Sequence, residues 1–273
     1  MTTTTERPSA RTSGPQPIRK PKSGGPLPLR FYRSAIGKKW VMAISGIILM
    51  GFVLVHLIGN IKLYLSKEEI NLYGEALRTM PGHLLPRTWL LWSIRAVLIA
   101  AFFFHIHAAY GLTVINRKAR PSGSQYQSKR DYVAADWASR TMRWTGIIIG
   151  LFIIFHLMDL TWGNANSQFV RGDPYNNLIY SLRRPAVAGV YIVAMIALGI
   201  HLYHGAWSLF QSMGLNNERR NKARRWFAIG FAGFIMIGNL SFPIAVQAHW
   251  VDLQCPHTHP TTVSCASLKA SVK

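Results

Sequence analysis

Charge is scarce in this sequence. Only 15% of its 273 residues are Asp, Glu, Lys or Arg, and only ten of those are acidic. Soluble domains carry about a quarter charged residues, so together with a hydrophobic share of 49% this argues against a water-soluble fold and for a membrane protein. Cysteine is nearly absent too. The chain has Cys255 and Cys265 but no Cys-x-x-Cys-His, which excludes covalent c-type haem attachment. No short-period repeat is present, which excludes a solenoid. The first 30 residues hold no apolar core of signal-peptide length, so no cleaved leader is expected.

Long apolar runs are what the chain does have. Five of them, near 41–63, 89–115, 143–163, 185–211 and 226–248, each hold about 20 residues or more, enough to cross a hydrocarbon core of ~30 Å. The expected fold is an all-α integral membrane bundle of five helices over 29–248. Residues 1–28, rich in Thr, Ser, Pro, Gly and Arg, form a disordered basic tail, and 249–273 form a second tail. Phe31-Tyr32-Arg33 through Lys38-Lys39-Trp40 mixes aromatics with cations, as suits a membrane interface.

The net charge of +21 would suggest nucleic acid in a soluble protein, but its distribution gives another meaning. Lys and Arg number nine up to Lys39, seven over 116–143 and five over 212–225; the alternate connections hold four, three and two. That asymmetry places the N-terminus in the cytoplasm and the C-terminus outside, in a multi-pass protein of the cell (cytoplasmic or inner) membrane surrounded by lipid. No nucleic-acid partner is expected. The positive cytoplasmic face also suits a soluble protein partner.

Histidine is present where it is costly. An intramembrane imidazole is a candidate functional residue by default, and four spans carry them: His56; His105 and His107; His156; His201 and His204. At 1.5 Å per residue, His56 and His156 lie roughly 24 and 20 Å from the inner face, and His107 and His204 roughly 13 and 12 Å. The result is an outer pair, His56 with His156, and an inner pair, His107 with His204. Two facing imidazoles at one depth on different helices can ligate a haem iron from both sides, and bundle cores are where such sites are built. Gly51, Gly59, Gly111, Gly146, Gly150, Gly189 and Gly205 on the same spans either admit a flat macrocycle or serve ordinary helix packing. His105 and His201 share a third depth, roughly 16 Å. His105 is an alternative inner ligand. His201 ligates in place of His204, bonds a propionate or touches quinone.

The 64–88 connection contains an amphipathic helix with Ile70, Tyr73 and Leu77 on one face. It covers the bundle end, or supplies Glu69 or Glu75 for proton exchange with a quinone.

In its order of motifs the chain resembles the single-subunit, five-helix cytochrome b anchors of succinate dehydrogenase and fumarate reductase. The resemblance covers about 34–248. It rests on Ser45-Gly46-Ile47 through Gly51-Phe52-Val53-Leu54-Val55-His56-Leu57-Ile58-Gly59-Asn60, on His107-Ala108-Ala109-Tyr110 with Asn116-Arg117-Lys118-Ala119-Arg120, on Phe155-His156-Leu157, and on His204-Gly205-Ala206-Trp207. It implies heme b, one or two per chain. His107 and His204 would be axial ligands of a proximal haem, and His56 and His156 of a distal one. It also implies docking to an iron–sulfur subunit and a flavoprotein subunit that oxidises succinate, with electrons leaving to quinone. Arg95 would neutralise a propionate, or snorkel to the interface. Trp40, Ser45 and His201 are the candidates at a quinone site on the cytoplasmic side.

The tail departs from that pattern. Cys255, His257, His259 and Cys265, with His249, offer either an outer disulfide or a metal site. Two thiolates and two imidazoles are the ligand set of a Rieske-type [2Fe–2S] cluster, which would then replace the outer haem, and also of a zinc site. Outside electron transfer, the competing functions are a proton-coupled transporter using the histidines as a relay and a purely structural anchor. Relays usually need membrane carboxylates, and only Asp159 lies inside an apolar span.

Overall fold

The computed structural model describes residues 26–80, 82–84, 86–118, 137–215, 217, 219 and 221–254. The expectations for residues 1–25, and those for Cys255, His257, His259 and Cys265, lie outside the described residues. Among the described residues all regular structure is helical. Helix α1 (Leu27–Arg33) leads through Ser34 into α2 (Ala35–Asn60), which continues as a 3-10 turn, Ile61–Tyr64. Then come α3 (Lys67–Thr79), α4 (Trp89–Lys118), α5 (Trp137–Leu160), α6 (Pro174–Arg183), α7 (Pro185–Ser212) and α8 (Asn221–Gln247). Five helices, α2, α4, α5, α7 and α8, are long and apolar enough to span a membrane, as expected.

Local chemistry sets where the helices begin. Ser34 caps α2, its hydroxyl accepting from the Gly37 amide at 2.9 Å. Ser66 caps α3 by accepting from the Glu69 amide at 3.1 Å, and Glu68 and Glu69 place negative charge on the first turn. Asp173 caps α6, and Pro174 and Pro185 start α6 and α7 at positions where a missing N–H costs nothing.

The spans pack as two hairpins and a buttress. Helix α2 lies along α4, α5 lies along α7, and α8 packs against both α7 and α2. Close approach requires glycine at two points. A Cβ on Gly199 would stand 2.6 Å from Met236 Sδ, and one on Gly238 would stand 2.7 Å from Leu57 Cδ2. The large apolar side chains left exposed, such as Phe103, Phe104, Ile147 and Leu151, fit a lipid solvent.

The short helices α3 and α6 close one end of the bundle, called here the capped end; the other is the α1 end. The densest packing is at the cap, where Leu57, Leu63, Ile179, Leu182 and Val246 are almost wholly buried. Ile70 on α3 is buried there, and Tyr73 covers Gly59. The stretch after α8 is part of this cap. Val251 and Leu253 are buried, and the Gln254 carbonyl accepts from Lys67 at 3.1 Å and from Asn176 at 2.9 Å.

Candidate functional site

Two pairs of imidazoles bridge the two hairpins. Towards the capped end, His56 of α2 and His156 of α5 face one another, with ring centroids 5.9 Å apart and planes at 88°. One turn earlier on each helix, Phe52 and Phe152 lie against these rings at 5.3 and 5.6 Å. Towards the α1 end the facing rings are His105 of α4 and His201 of α7, at 6.3 Å and 59°. Each pair joins one helix of the α2/α4 hairpin to one of the α5/α7 hairpin.

The hydrogen bonds around three of these rings assign a tautomer. Ser45 donates to the Val41 carbonyl at 2.7 Å, so its oxygen accepts from His105 Nδ1 at 3.2 Å. Thr145 repeats this on α5: it donates to the Met142 carbonyl at 3.0 Å and accepts from His201 Nδ1 at 3.2 Å. Behind His156, Tyr191 donates to Asp159 at 2.9 Å, and its oxygen stands 3.2 Å from His156 Nδ1. Asp159 is fully buried, takes a further hydrogen bond from Ser181, and pairs with Arg184 at 2.7 Å. In all three histidines Nδ1 carries the proton, which leaves Nε2 as the free lone pair. A metal-ligating imidazole is held in this way.

The remaining histidines are placed differently. His107 is exposed at the α1 end, where its ring stacks on Tyr32 at 5.7 Å and its Nδ1 is hydrogen-bonded to the Tyr32 hydroxyl. The ring that reaches from α4 towards α7 is therefore His105, and its partner is His201, not the expected combination of His107 with His204. The reason is angular. Two residues along a helix are about 200° apart around its axis, so His105 and His107 cannot share a face. His204 follows His201 by one turn.

Other candidates also find their places. Ser45 and His201 belong to the α1-end pair, while Trp40 is 39% exposed on α2. His249, in a left-handed backbone conformation (φ 58°), accepts from Arg183 at 3.5 Å. Arg95 lies over the Trp92 ring at 4.9 Å. Glu69 pairs with Lys62 at 2.8 Å, and Glu75 pairs with Arg78 and Arg87, so both carboxylates sit in surface ion pairs. Among the described residues no three His, Cys, Asp or Glu side chains gather as a zinc site would require.

The glycines divide. Gly59 is covered by Tyr73, Gly111 by Lys38 and Gly146 by His201, whereas Gly51, Gly150, Gly189 and Gly205 have nothing within 4 Å of where a Cβ would stand.

One signal in the sequence would have found the α1-end pair. Part of the pattern of residues 42–57 recurs one hundred positions later: Met42 and Met142, Ser45 and Thr145, Gly46 and Gly146, Ile47 and Ile147, Phe52 and Phe152, His56 and His156, Leu57 and Leu157. The two hairpins are built on one pattern, and its hydroxyl position packs against a histidine of the following span in both copies. A search for short periods does not detect it.

The family described as succinate dehydrogenase/fumarate reductase transmembrane subunit matches residues 115–237, which include His156, His201 and His204. A curated relative, the succinate dehydrogenase cytochrome b558 subunit of Bacillus subtilis (strain 168), is 28% identical over 116 residues. That alignment takes in 42% of this chain and 53% of the relative, so about half the length of each is matched. No solved structure matches the chain. A Rieske-type cluster gains no support from these comparisons, in which the matched relative is named a cytochrome b558 subunit. Five membrane-capable helices mark the chain as a multi-pass membrane protein, and over part of its length it is similar to the transmembrane subunits of succinate dehydrogenase and fumarate reductase.

Proposed function

We propose that this chain is the membrane-anchor and electron-transfer subunit of a succinate:quinone oxidoreductase. It holds heme b at two levels and carries electrons from a docked iron–sulfur subunit, itself bound to a flavoprotein, to quinone. The observation that carries the reading is the pair of imidazole bridges between the hairpins.

The residues fit the group. Two imidazoles that held one iron between them would have ring centroids roughly 6 Å apart. The observed separations are 5.9 Å for His56 with His156 and 6.3 Å for His105 with His201. Three of the four rings keep Nε2 free. Glycines open to space on α2, α5 and α7 leave room that a Cβ would fill. We therefore assign His56 and His156 to the outer haem, and His105 and His201, in place of His107 and His204, to the inner one. Ser45 marks the inner level on α2 and His56 the outer, eleven residues or roughly 16 Å apart along the helix. Bound there, haem supplies reversible one-electron chemistry.

The protein fixes ring orientation through Ser45, Thr145 and Tyr191, and it keeps water from the rings with Phe52, Phe152 and the packed cap. The Lys and Arg excess assigns the α1 end to the cytoplasm, where the positive face receives the iron–sulfur subunit. With Ser45 and His201 engaged at the inner haem, Trp40 remains the candidate against quinone at that end.

The complex purified with its partner subunits is expected to contain two haems b per chain, both reduced by succinate and reoxidised by a quinone. A complex without haem, or one whose haem succinate does not reduce, would refute the assignment.

A further inference from the structure

Two residues beyond the repeated stretch the two hairpins differ in chemistry. Position 59 on α2 is glycine, filled by the Tyr73 ring, while its counterpart one hundred residues later is Asp159. Asp159 has no solvent exposure and receives three hydrogen bonds, from Ser181, from Tyr191 at 2.9 Å and from Arg184 at 2.7 Å. Burying a carboxylate in a membrane span is costly, and it persists only where its partners are complete. Its partners point to a use. Tyr191, itself 7% exposed, spends its only proton on Asp159 and turns its oxygen to His156 Nδ1 at 3.2 Å. At the other level Ser45 and Thr145 give up their protons to main-chain carbonyls, so their acceptor oxygens have no anion behind them.

We propose that Asp159 and Tyr191 are positioning residues for the outer haem. Through the chain Asp159–Tyr191–His156 they fix the Nδ1–H tautomer of that ligand and raise the basicity of its Nε2, which favours the oxidised form of the group it holds. Arg184 and Ser181 hold the carboxylate in place. This rests on the reading that His156 is a haem ligand, and the inner haem gains no such support.

The test uses the whole purified complex carrying Tyr191→Phe, Asp159→Asn or His156→Ala, with haem content, a potentiometric titration of the haem absorbance and low-temperature EPR of the oxidised state. His156→Ala should remove one haem and identify the outer titration wave. Tyr191→Phe takes away one oxygen from a packed ring and should keep both haems. At a fixed ambient potential the outer wave should then be about tenfold more reduced, which is 59 mV for a one-electron couple. The inner wave should stay in place, and one low-spin EPR signal should move. Asp159→Asn should act in the same direction, so either variant that assembles is decisive. Two haems with both waves unmoved in Tyr191→Phe would overturn the proposal while leaving the haem assignment intact. Two haems retained in His156→Ala would overturn the assignment and the proposal with it.

Discussion

His105 and His107 separate the two ways of building the inner site, and replacing each by alanine decides between them. On α4 the two side chains are about 200° apart around the axis, while their difference in depth is only about 3 Å. Depth therefore cannot distinguish them, but direction can. His105 has its Nδ1 on Ser45 and its ring 6.3 Å from His201, whereas His107 has Tyr32 stacked on it at 5.7 Å. On the proposed assignment, losing His105 would remove one of the two rings that hold the inner haem and leave the outer pair, roughly 16 Å further along α2, untouched. The expected haem content per complex falls by half in His105→Ala and in His201→Ala, and is unchanged in His107→Ala. His107→Ala loses only the contact to α1, a hydrogen bond worth about 1 kcal/mol. Haem extracted as its pyridine complex, normalised to the flavin of the partner subunit, reads the ratio directly. Two haems in His105→Ala with one in His107→Ala would refute the geometric assignment and restore the pairing of His107 with His204.

Other consequences concern the cap and the packing. Burial alone would push the Asp173 carboxyl up, but hydrogen bonds from Asn71 and Asn176 and the charge of Lys67 overcome this and hold it below the ordinary carboxylate range. Its contribution is thus complete above the unfolded value near pH ~4 and is lost as pH falls through the lower folded value. Asp173→Asn, which loses the ion pair and one acceptor oxygen, should cost about 1–3 kcal/mol and flatten the acid limb of thermal unfolding; a limb as steep as in the parent would refute this. Gly238→Ala sets a methyl 2.7 Å from Leu57 Cδ2 and should lower the midpoint of thermal unfolding by an amount matching about 1–3 kcal/mol. Gly146→Ala, with 3.6 Å to His201 Cε1, should be tolerated in the same assay, and equal losses in the two would refute the packing described.

The five spans were legible because length alone decides them in a bilayer. The His56–His156 level was legible because each helix carries one histidine near that depth, so no choice of face arises. At the inner level that choice does arise. Two histidines lie close together on α4 and two on α7, and axial arithmetic is blind to rotation. What determines rotation is the neighbour each helix packs on, written in Ser45 and Thr145 through a repeat spaced too widely for a search at short periods. Helix α6 was missed for another reason. The stretch 163–184 is too short and polar to show as an apolar run, although Asp173-Pro174 is a helix-start signal in plain view. The partners of Asp159 needed coordinates, because Ser181, Arg184 and Tyr191 reach it from 22, 25 and 32 residues away.

The uneven packing of the spans says what the imidazole bridges do for the fold. In its most apolar stretch α7 is 39% buried within the protein and α8 33%, while α4 and α5 are each 6% buried. Helix α4 leans chiefly on α2 and on the cap helix α3, and His105 on His201 is a contact it makes with the other hairpin. In a bilayer there is no hydrophobic gain from pressing two apolar helices together, so a helix with so few protein neighbours depends on whatever polar or coordinate bonds cross the gap. A group bound between the hairpins stabilises the assembled form in proportion to the logarithm of its excess over its dissociation constant, and that stabilisation should fall mostly on α4. Hydrogen exchange on complex made in haem-starved cells should therefore show α4 losing protection along its length, α5 less because it also lies against α7, and α7 and α8 least. Equal loss over all five spans, or none in α4, would mean that the hairpins hold together through protein contacts alone.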